Sequence, residues 1–129
     1  MPKILIVDDD IQASGLLERV VRMFNHEAAV VNQSTLAMDT AHSFLPDLII
    51  LDLMMPDLNG FELCVLLRAD PGFVKTPVIV VSAMEDKEAK EKAFSVGVNE
   101  YLMKPFNLTE LREKIDTLLA NGHLQTILA

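Results

Sequence analysis

Five short apolar runs punctuate the chain: KILIV (3–7), EAAVV (27–31), DLIIL (47–51), PVIVV (77–81) and EYLM (100–103). Their aliphatic and β-branched make-up predicts strands. Most lack a polar residue at alternate positions, the mark of strands covered on both faces. Between the runs the period changes. Leu16, Leu17, Val20, Val21 and Phe24 recur at helical spacing, and Phe61, Cys64, Val65 and Arg68 do so more weakly. The last helix opens at NLTE, where Asn107 can cap and Glu110 can close a capping-box-like pair, and it is predicted to stop at Asn121 and Gly122. The second helix is the faintest, with Ser34 as its cap and Pro46 beyond its end. Residues 68–77, RADPGFVKTP, read as the loop between the third helix and the fourth strand, and EDKEAKEK (85–92) as a solvated helical face of alternating charge.

Strict alternation of strand and helix with short connections implies right-handed crossovers and a doubly wound, open parallel sheet. Ligands of such sheets sit outside the carboxyl ends of the strands. The polar residues of this chain fall there. The first strand ends in Asp8 and Asp9, the third in Asp52 and the fourth in Ser82, while the fifth runs through Tyr101 to Lys104. Asp10 reads as the cap of the first helix. The second strand ends in Asn32 and Gln33, offers no charge, and is expected to lie outside the site.

At 129 residues, half of them apolar, the chain fits one globular domain. Its formal charge of -8 with no basic run repels phosphate backbones, which argues against direct nucleic-acid binding. No stretch approaches the roughly 18 apolar residues of a membrane span, and Lys3 with four apolar residues is no signal peptide, so a cytoplasmic protein without membrane contact is expected. The single cysteine, Cys64, stands among Leu63, Val65 and Leu66 and is read as packed rather than nucleophilic.

Three carboxylates brought to one sheet edge repel one another and raise each other's pKa unless a cation is supplied. Oxygen-only ligands point to a hard divalent ion, magnesium above all. His26, His42 and His123 all fall away from the strand ends, so zinc is not expected. With Lys104 as a fixed cation and Ser82 as a hydroxyl, the set suits a phosphoryl group, whose oxygens need such neutralisation during transfer.

ILIVDDD, LIILDLMMPDLNGFEL, VIVVSA and EYLMKPF, in that order, resemble the receiver domain of two-component response regulators, in the manner of a single-domain chemotaxis regulator. The resemblance spans residue 3 to about residue 120. It implies a flavodoxin-like (βα)5 fold with strand order 2-1-3-4-5. A receiver domain over 1–121 would be followed by 122–129 as a tail or the start of a linker. Asp52 takes the place of the phosphoacceptor. Asp8 and Asp9 take that of the magnesium pair, with Asp9 the more direct ligand and Met54 contributing its backbone carbonyl. Ser82 matches the switch hydroxyl, Ala83 its small neighbour, Lys104 the phosphoryl-pairing lysine before a cis Pro105, and Tyr101 the aromatic that turns inward with the hydroxyl. Met54 and Met84 stand at the two positions flanking the path of the hydrolytic water, where neither can orient a water by charge, and slow dephosphorylation is expected. Such a domain is not an enzyme beyond catalysing its own phosphorylation and slow dephosphorylation. Its partners would be a sensor histidine kinase or histidine phosphotransfer protein, and an effector or output domain reading the fourth helix, fifth strand and fifth helix, with a phosphorylation-dependent homodimer as one outcome.

Two rivals use the same residues. A haloacid-dehalogenase-type phosphotransferase needs a second acid two residues after the nucleophile, and Met54 stands there. A pseudo-receiver would keep the fold as an interaction module without the chemistry. Gly60 is expected to serve the loop by tolerating positive φ. The terminal HLQTILA, apolar at Leu124, Ile127 and Leu128, would dock back on the domain, pair two copies or begin a linker.

Overall fold

A computed structural model describes residues 1–128, and the side chains of residues 1–122. In chain order the elements are β1 (Lys3–Val7), α1 (Ile11–Met23), β2 (Glu27–Val31), a 3-10 turn (Ser34–Leu36), α2 (Ala37–Phe44), β3 (Leu48–Leu51), α3 (Gly60–Ala69), β4 (Val78–Ser82), α4 (Lys87–Ser95), β5 (Glu100–Met103) and α5 (Leu108–Leu128). All five predicted strands form, paired in parallel in the order β2-β1-β3-β4-β5. This is the flavodoxin-like order.

The alternation of side chains along each strand divides the core in two. Ile4, Ile6, Ile50, Ile79 and Val81 meet Leu17, Val20 and Val21 of α1 and Leu111 and Ile115 of α5 on one face. Leu5, Val7, Ile49, Leu51 and Val80 meet α2, α3 and α4 on the other. β3 is fully buried, and so is β4. Its apolar run therefore builds a rigid, water-free strand whose end has a fixed address, which accounts for LIIL leading directly into Asp52.

Helix details depart from the sequence reading in several places. In α3 the buried residues are Gly60, Leu63, Cys64 and Leu67, while Val65 is 52 % exposed. The face inferred from Phe61, Cys64, Val65 and Arg68 is thus rotated, because in a helix that is apolar on most sides the period alone does not fix the buried stripe. Cys64 is buried as expected, and burial pushes its thiol pKa up. Arg68 lies within α3, not in the following loop. The α3 start carries a full capping box, with Asn59 accepting from Glu62 N–H and Glu62 accepting from Asn59 N–H. Ser34 does not cap α2: it opens the 3-10 turn, and its hydroxyl donates to Pro56 O at 3.1 Å. Asn107 does accept from Glu110 N–H at 3.0 Å. α5 runs past Asn121 and Gly122, neither of which takes the left-handed conformation that ends a helix at glycine. A lone glycine weakens a helix by about 1 kcal/mol relative to alanine without stopping it. What the HLQTILA side chains pack against lies outside the described residues.

His26, between α1 and β2, is buried with neither ring nitrogen paired among the described residues. Burial lowers its pKa below the usual 6.5; Asp116 pulls the other way, and the chain amino terminus and Arg112 add to the lowering. The folded state thus holds the neutral ring. Between the folded pKa and 6.5 the unfolded chain binds the extra proton, so stability present above pH 6.5 is lost as pH falls below it. His26→Leu removes both the titration and the two unpaired polar atoms. It is expected to stabilise the fold by about 1 kcal/mol at pH 7, and by more at pH 5.5. Chemical denaturation at the two pH values checks this; an equal loss on acidification in both proteins would refute it.

Candidate functional site

Backbone hydrogen bonds carry the sheet one residue past its strand ends. Asp8 N–H donates to Val31 O (3.1 Å), Asp52 N–H to Val7 O (3.0 Å) and Lys104 N–H to Ser82 O (2.9 Å). The residues of the carboxyl edge are therefore held by the sheet itself, although they lie in its loops.

Four side chains converge there. Asp8 is 1 % exposed and Asp52 8 %, while Asp9 is exposed. Carboxylate oxygens of all three lie within 4.8 Å of one another. Lys104 Nζ bridges the two buried acids, donating to Asp8 Oδ2 at 2.9 Å and Asp52 Oδ2 at 3.1 Å. The remaining oxygens are met by backbone: Asp8 Oδ1 accepts from Asp10 N–H (2.9 Å) and Asp52 Oδ1 from Met54 N–H (3.3 Å). Asp10 caps α1, accepting from Gln12 and Ala13 N–H, as read from the sequence.

The electrostatic load on Asp8 differs from the one inferred. Burial is the main force raising its pKa, opposed by the Asp10 N–H and Lys104, and repulsion from Asp52 is the smallest contribution. Desolvation more than mutual repulsion makes this carboxylate seek a cation. For Lys104, burial alone would lower the pKa, but its hydrogen bonds to Asp8 and Asp52 reverse this and hold it above the usual value. The ammonium keeps its charge.

Ser82, the last residue of β4, is fully buried, and its hydroxyl accepts from Met84 N–H at 3.3 Å. It does not cap α4, which starts five residues later at Lys87. Tyr101 is half-buried against the α3–α4 side of the core and donates its hydroxyl to Met84 O at 2.6 Å. Burial raises its pKa, the Ser82 hydroxyl lowers it, and Asp86 and Asp52 raise it. The Lys104–Pro105 peptide is cis. Ala83 is exposed beside Ser82. Met54 is 62 % exposed, and with Met84, Leu53, Met55 and Phe61 it lines an open apolar groove of about 440 Å³ beside the acids.

The acids, Ser82, Ala83, Tyr101, Lys104, Met54 and Met84 are the positions picked out in the sequence; the groove is not. Gly60 is picked out as well, but for another reason. It does not adopt positive φ, which falls to Asp57 in that loop. A Cβ on Gly60 would collide with the Asp52 backbone oxygen and lie 2.7 Å from Leu53 Cα, so glycine lets α3 start directly against the end of β3. Asn32, assigned outside the site, reaches it: Nδ2 donates to Asp8 O at 2.7 Å and to Ser14 Oγ at 2.9 Å. A short amide at a strand end was the available signal, and counting only charges passed over it.

The family model for the response regulator receiver domain matches residues 4–116. The chain belongs to that family. The receiver is 35 % identical over 113 residues, 88 % of its length, to the DNA-binding response regulator MtrA of Mycolicibacterium paratuberculosis, covering 49 % of that protein. It thus spans about half the length of the curated relatives it matches. Among solved structures, it is 34 % identical to a response regulator from Chloroflexus aurantiacus, with a TM-score of 0.88 over 92 % of this chain and 98 % of that one. The chemotaxis protein CheY4 of Vibrio cholerae superposes with a TM-score of 0.86 at 27 % identity, covering 92 % and 98 %. Among the described residues, no helix of the receiver is long and apolar enough to cross a membrane.

Proposed function

We propose that this receiver is the phosphorylation switch of a two-component phosphorelay, with Asp52 the phosphoacceptor and residues 1–121 the switching unit. The observation that carries the reading is the Asp8–Asp9–Asp52 cluster bridged by Lys104 at the carboxyl edge of the sheet. The donor set is all oxygen, and its most buried acid is burdened by desolvation, which fits a hard divalent cation. Asp8, Asp9, Asp52 and the Met54 carbonyl would hold magnesium, which when bound supplies positive charge to the oxygens of the transferring group.

The remaining steps belong to the chain's own residues. An Asp52 oxygen forms a bond to phosphorus as the phosphorus–nitrogen bond of the partner's phosphohistidine breaks, and the imidazole leaves with that electron pair. One carboxylate charge becomes about two, with new acceptor oxygens. Lys104, already 3.1 Å from Asp52, donates to them. Ser82 turns its hydroxyl to them as well, and small Ala83 leaves room. That motion withdraws the Ser82 oxygen from Met84 N–H and alters the slot holding Tyr101, whose hydroxyl sits on Met84 O. The change is passed to the α4–β5–α5 face, where an effector, an output domain or a second copy binds. A bias of about 5.5 kcal/mol suffices to carry a two-state face from 1:99 to 99:1. The upstream partner is a sensor histidine kinase or histidine phosphotransfer protein. The -8 charge suits a regulatory unit that leaves DNA to other domains, and residues 122–129 serve as tail or linker.

Incubation with acetyl phosphate tests the proposal by intact mass: one phosphoryl adduct in magnesium, none in EDTA, none in Asp52→Asn. An adduct in all three would overturn it, and none in any would leave an interaction module without the chemistry.

Met54 and Met84, both lining the apolar groove, shield the acyl phosphate without orienting a water. Replacing both with asparagine is expected to shorten the phosphoryl lifetime on the order of tenfold, less than the roughly hundredfold or more of a positioned general base, because an amide orients a water without taking its proton. Loss of the adduct followed by mass over time checks this, and an unchanged half-life would contradict it.

A further inference from the structure

One side chain at the sheet edge acts on the acids through the backbone. We propose that Asn32 is a positioning residue for the metal-binding pair: its amide fixes the Asp8–Asp9 peptide plane and thereby the direction of Asp9. The inference rests on the reading of Asp8, Asp9 and Asp52 as a magnesium site.

The three acids are not held alike. The Asp8 carboxylate is fixed by Asp10 N–H and Lys104, and that of Asp52 by Met54 N–H and Lys104. Asp9 is exposed and has neither hydrogen bond nor ion pair among the described residues. Its direction is set by the backbone on either side. On the far side, Asp10 is locked as the cap of α1. On the near side, the parallel ladder supplies one bond, Asp8 N–H to Val31 O, and then fails, because the chain after β2 turns into the Ser34–Leu36 turn. No backbone N–H among the described residues donates to the Asp8 carbonyl, which belongs to a residue only 1 % exposed. Asn32 Nδ2 meets it at 2.7 Å, and the same nitrogen donates to Ser14 Oγ on α1 at 2.9 Å. Ser14 is itself buried and donates to Ile11 O at 3.2 Å. The asparagine thus continues the ladder with its side chain and ties the acid loop to α1. A free Asp8–Asp9 peptide would rotate to hydrate its carbonyl, carrying Asp9 with it. Partners that orient ligands in this way are commonly worth tenfold or more in metal affinity.

Calorimetric titration of the whole chain with magnesium chloride at constant ionic strength tests the assignment. Asn32→Leu keeps the size and removes the donor; the dissociation constant should rise on the order of tenfold. Asn32→Asp separates orientation from charge. An added negative charge near the acids would by itself tighten magnesium binding, whereas a lost amide weakens it, and weaker binding is the expected result. Ser14→Ala leaves the Asn32–Asp8 bond in place and should bind like the wild type. At saturating magnesium, phosphorylation of the Asn32 variants by acetyl phosphate should recover. Wild-type affinity in Asn32→Leu, tighter binding in Asn32→Asp, or equal weakening in Ser14→Ala would overturn the inference. A wild type that binds no magnesium would instead bring down the reading beneath it.

Discussion

Arg68→Met is expected to lower the unfolding free energy by about 3 kcal/mol, more than the loss of one charged hydrogen bond and less than the sum of all it makes. The half-buried guanidinium donates five hydrogen bonds, and every acceptor is neutral. Nε and Nη2 reach Gly97 O (3.1 and 2.8 Å), Nη1 reaches Phe73 O (2.8 Å) and Thr76 O (2.7 Å), and Nη2 reaches Asn99 Oδ1 (3.0 Å). One side chain of α3 therefore joins the loop before β4 to the loop before β5. Asn99 extends the tie by accepting from Val78 N–H at 2.8 Å, and Cys64, one turn earlier, donates its thiol to Val96 O at 3.3 Å. Burial lowers the Arg68 pKa, yet the group stays charged at any physiological pH. Methionine fills the stem but leaves the carbonyls without donors. Lysine, a single point donor, should recover only a small part. Gly97 belongs to the same unit: its φ of +105° suits glycine, and a Cβ there would lie 2.8 Å from Arg68 Cγ and Nε. Gly97→Ala should accordingly destabilise less in the Arg68→Met background than alone, a coupling that a double-mutant cycle measures by chemical denaturation. A loss below about 1 kcal/mol for Arg68→Met would contradict the account, since surface substitutions away from such networks fall within roughly 0.5 kcal/mol.

Lys104→Met should destabilise the magnesium-free receiver by about 2–3 kcal/mol at pH 7. Breaking a fully buried ion pair costs about 3–5 kcal/mol, and the Lys104 side chain retains 25 % exposure, which moderates the effect. What remains is two carboxylates facing each other with no cation between them. Two conditions should close the gap to wild type. Magnesium supplies the missing charge, so stability measured in excess magnesium should converge. Acid does likewise by another route. The Asp8 pKa is already raised above 3.8 in the fold, and losing Lys104 raises it further. The penalty of the ionised form is therefore complete above that raised pKa, shrinks as pH falls through it, and is gone only near the ordinary 3.8. Denaturation at pH 7 and pH 5, with magnesium and with EDTA, checks both arms. A deficit indifferent to metal and pH would mean that Lys104 acts through packing instead.

The strands and the convergence of the candidate site residues were legible in the sequence because the same residues encode both. LIIL and VIVVS are so apolar that only a sheet buried on both faces accommodates them, and the polar residue that ends each run is thereby aimed at the ligand edge. Asp8, Asp52 and Lys104 were found in this way and meet within hydrogen-bond distance. What was not legible depends on residues far apart in the chain. The buried stripe of α3 is chosen by what α3 packs on, so Leu63 and Leu67 face the core while Val65 faces solvent. Arg68 looked like the weak end of an amphipathic pattern because four of its five hydrogen bonds go to backbone carbonyls, which sequence does not distinguish. Asn32 acts across 24 positions on a main-chain oxygen. Gly60 is glycine because β3 and α3 approach closely, a fact about two elements and not about the loop between them.

The central claim is that Asp52, and neither acid of the β1 edge, forms the covalent bond to phosphorus. Borohydride reduction of the acetyl-phosphate-treated receiver, followed by peptide mapping, reads this directly, because an acyl phosphate is reduced to the alcohol and converts its aspartate to homoserine. Homoserine at position 52 alone, formed only when magnesium was present, is the result expected. Homoserine at position 8 or 9, or a phosphoryl adduct that yields none, would contradict the account.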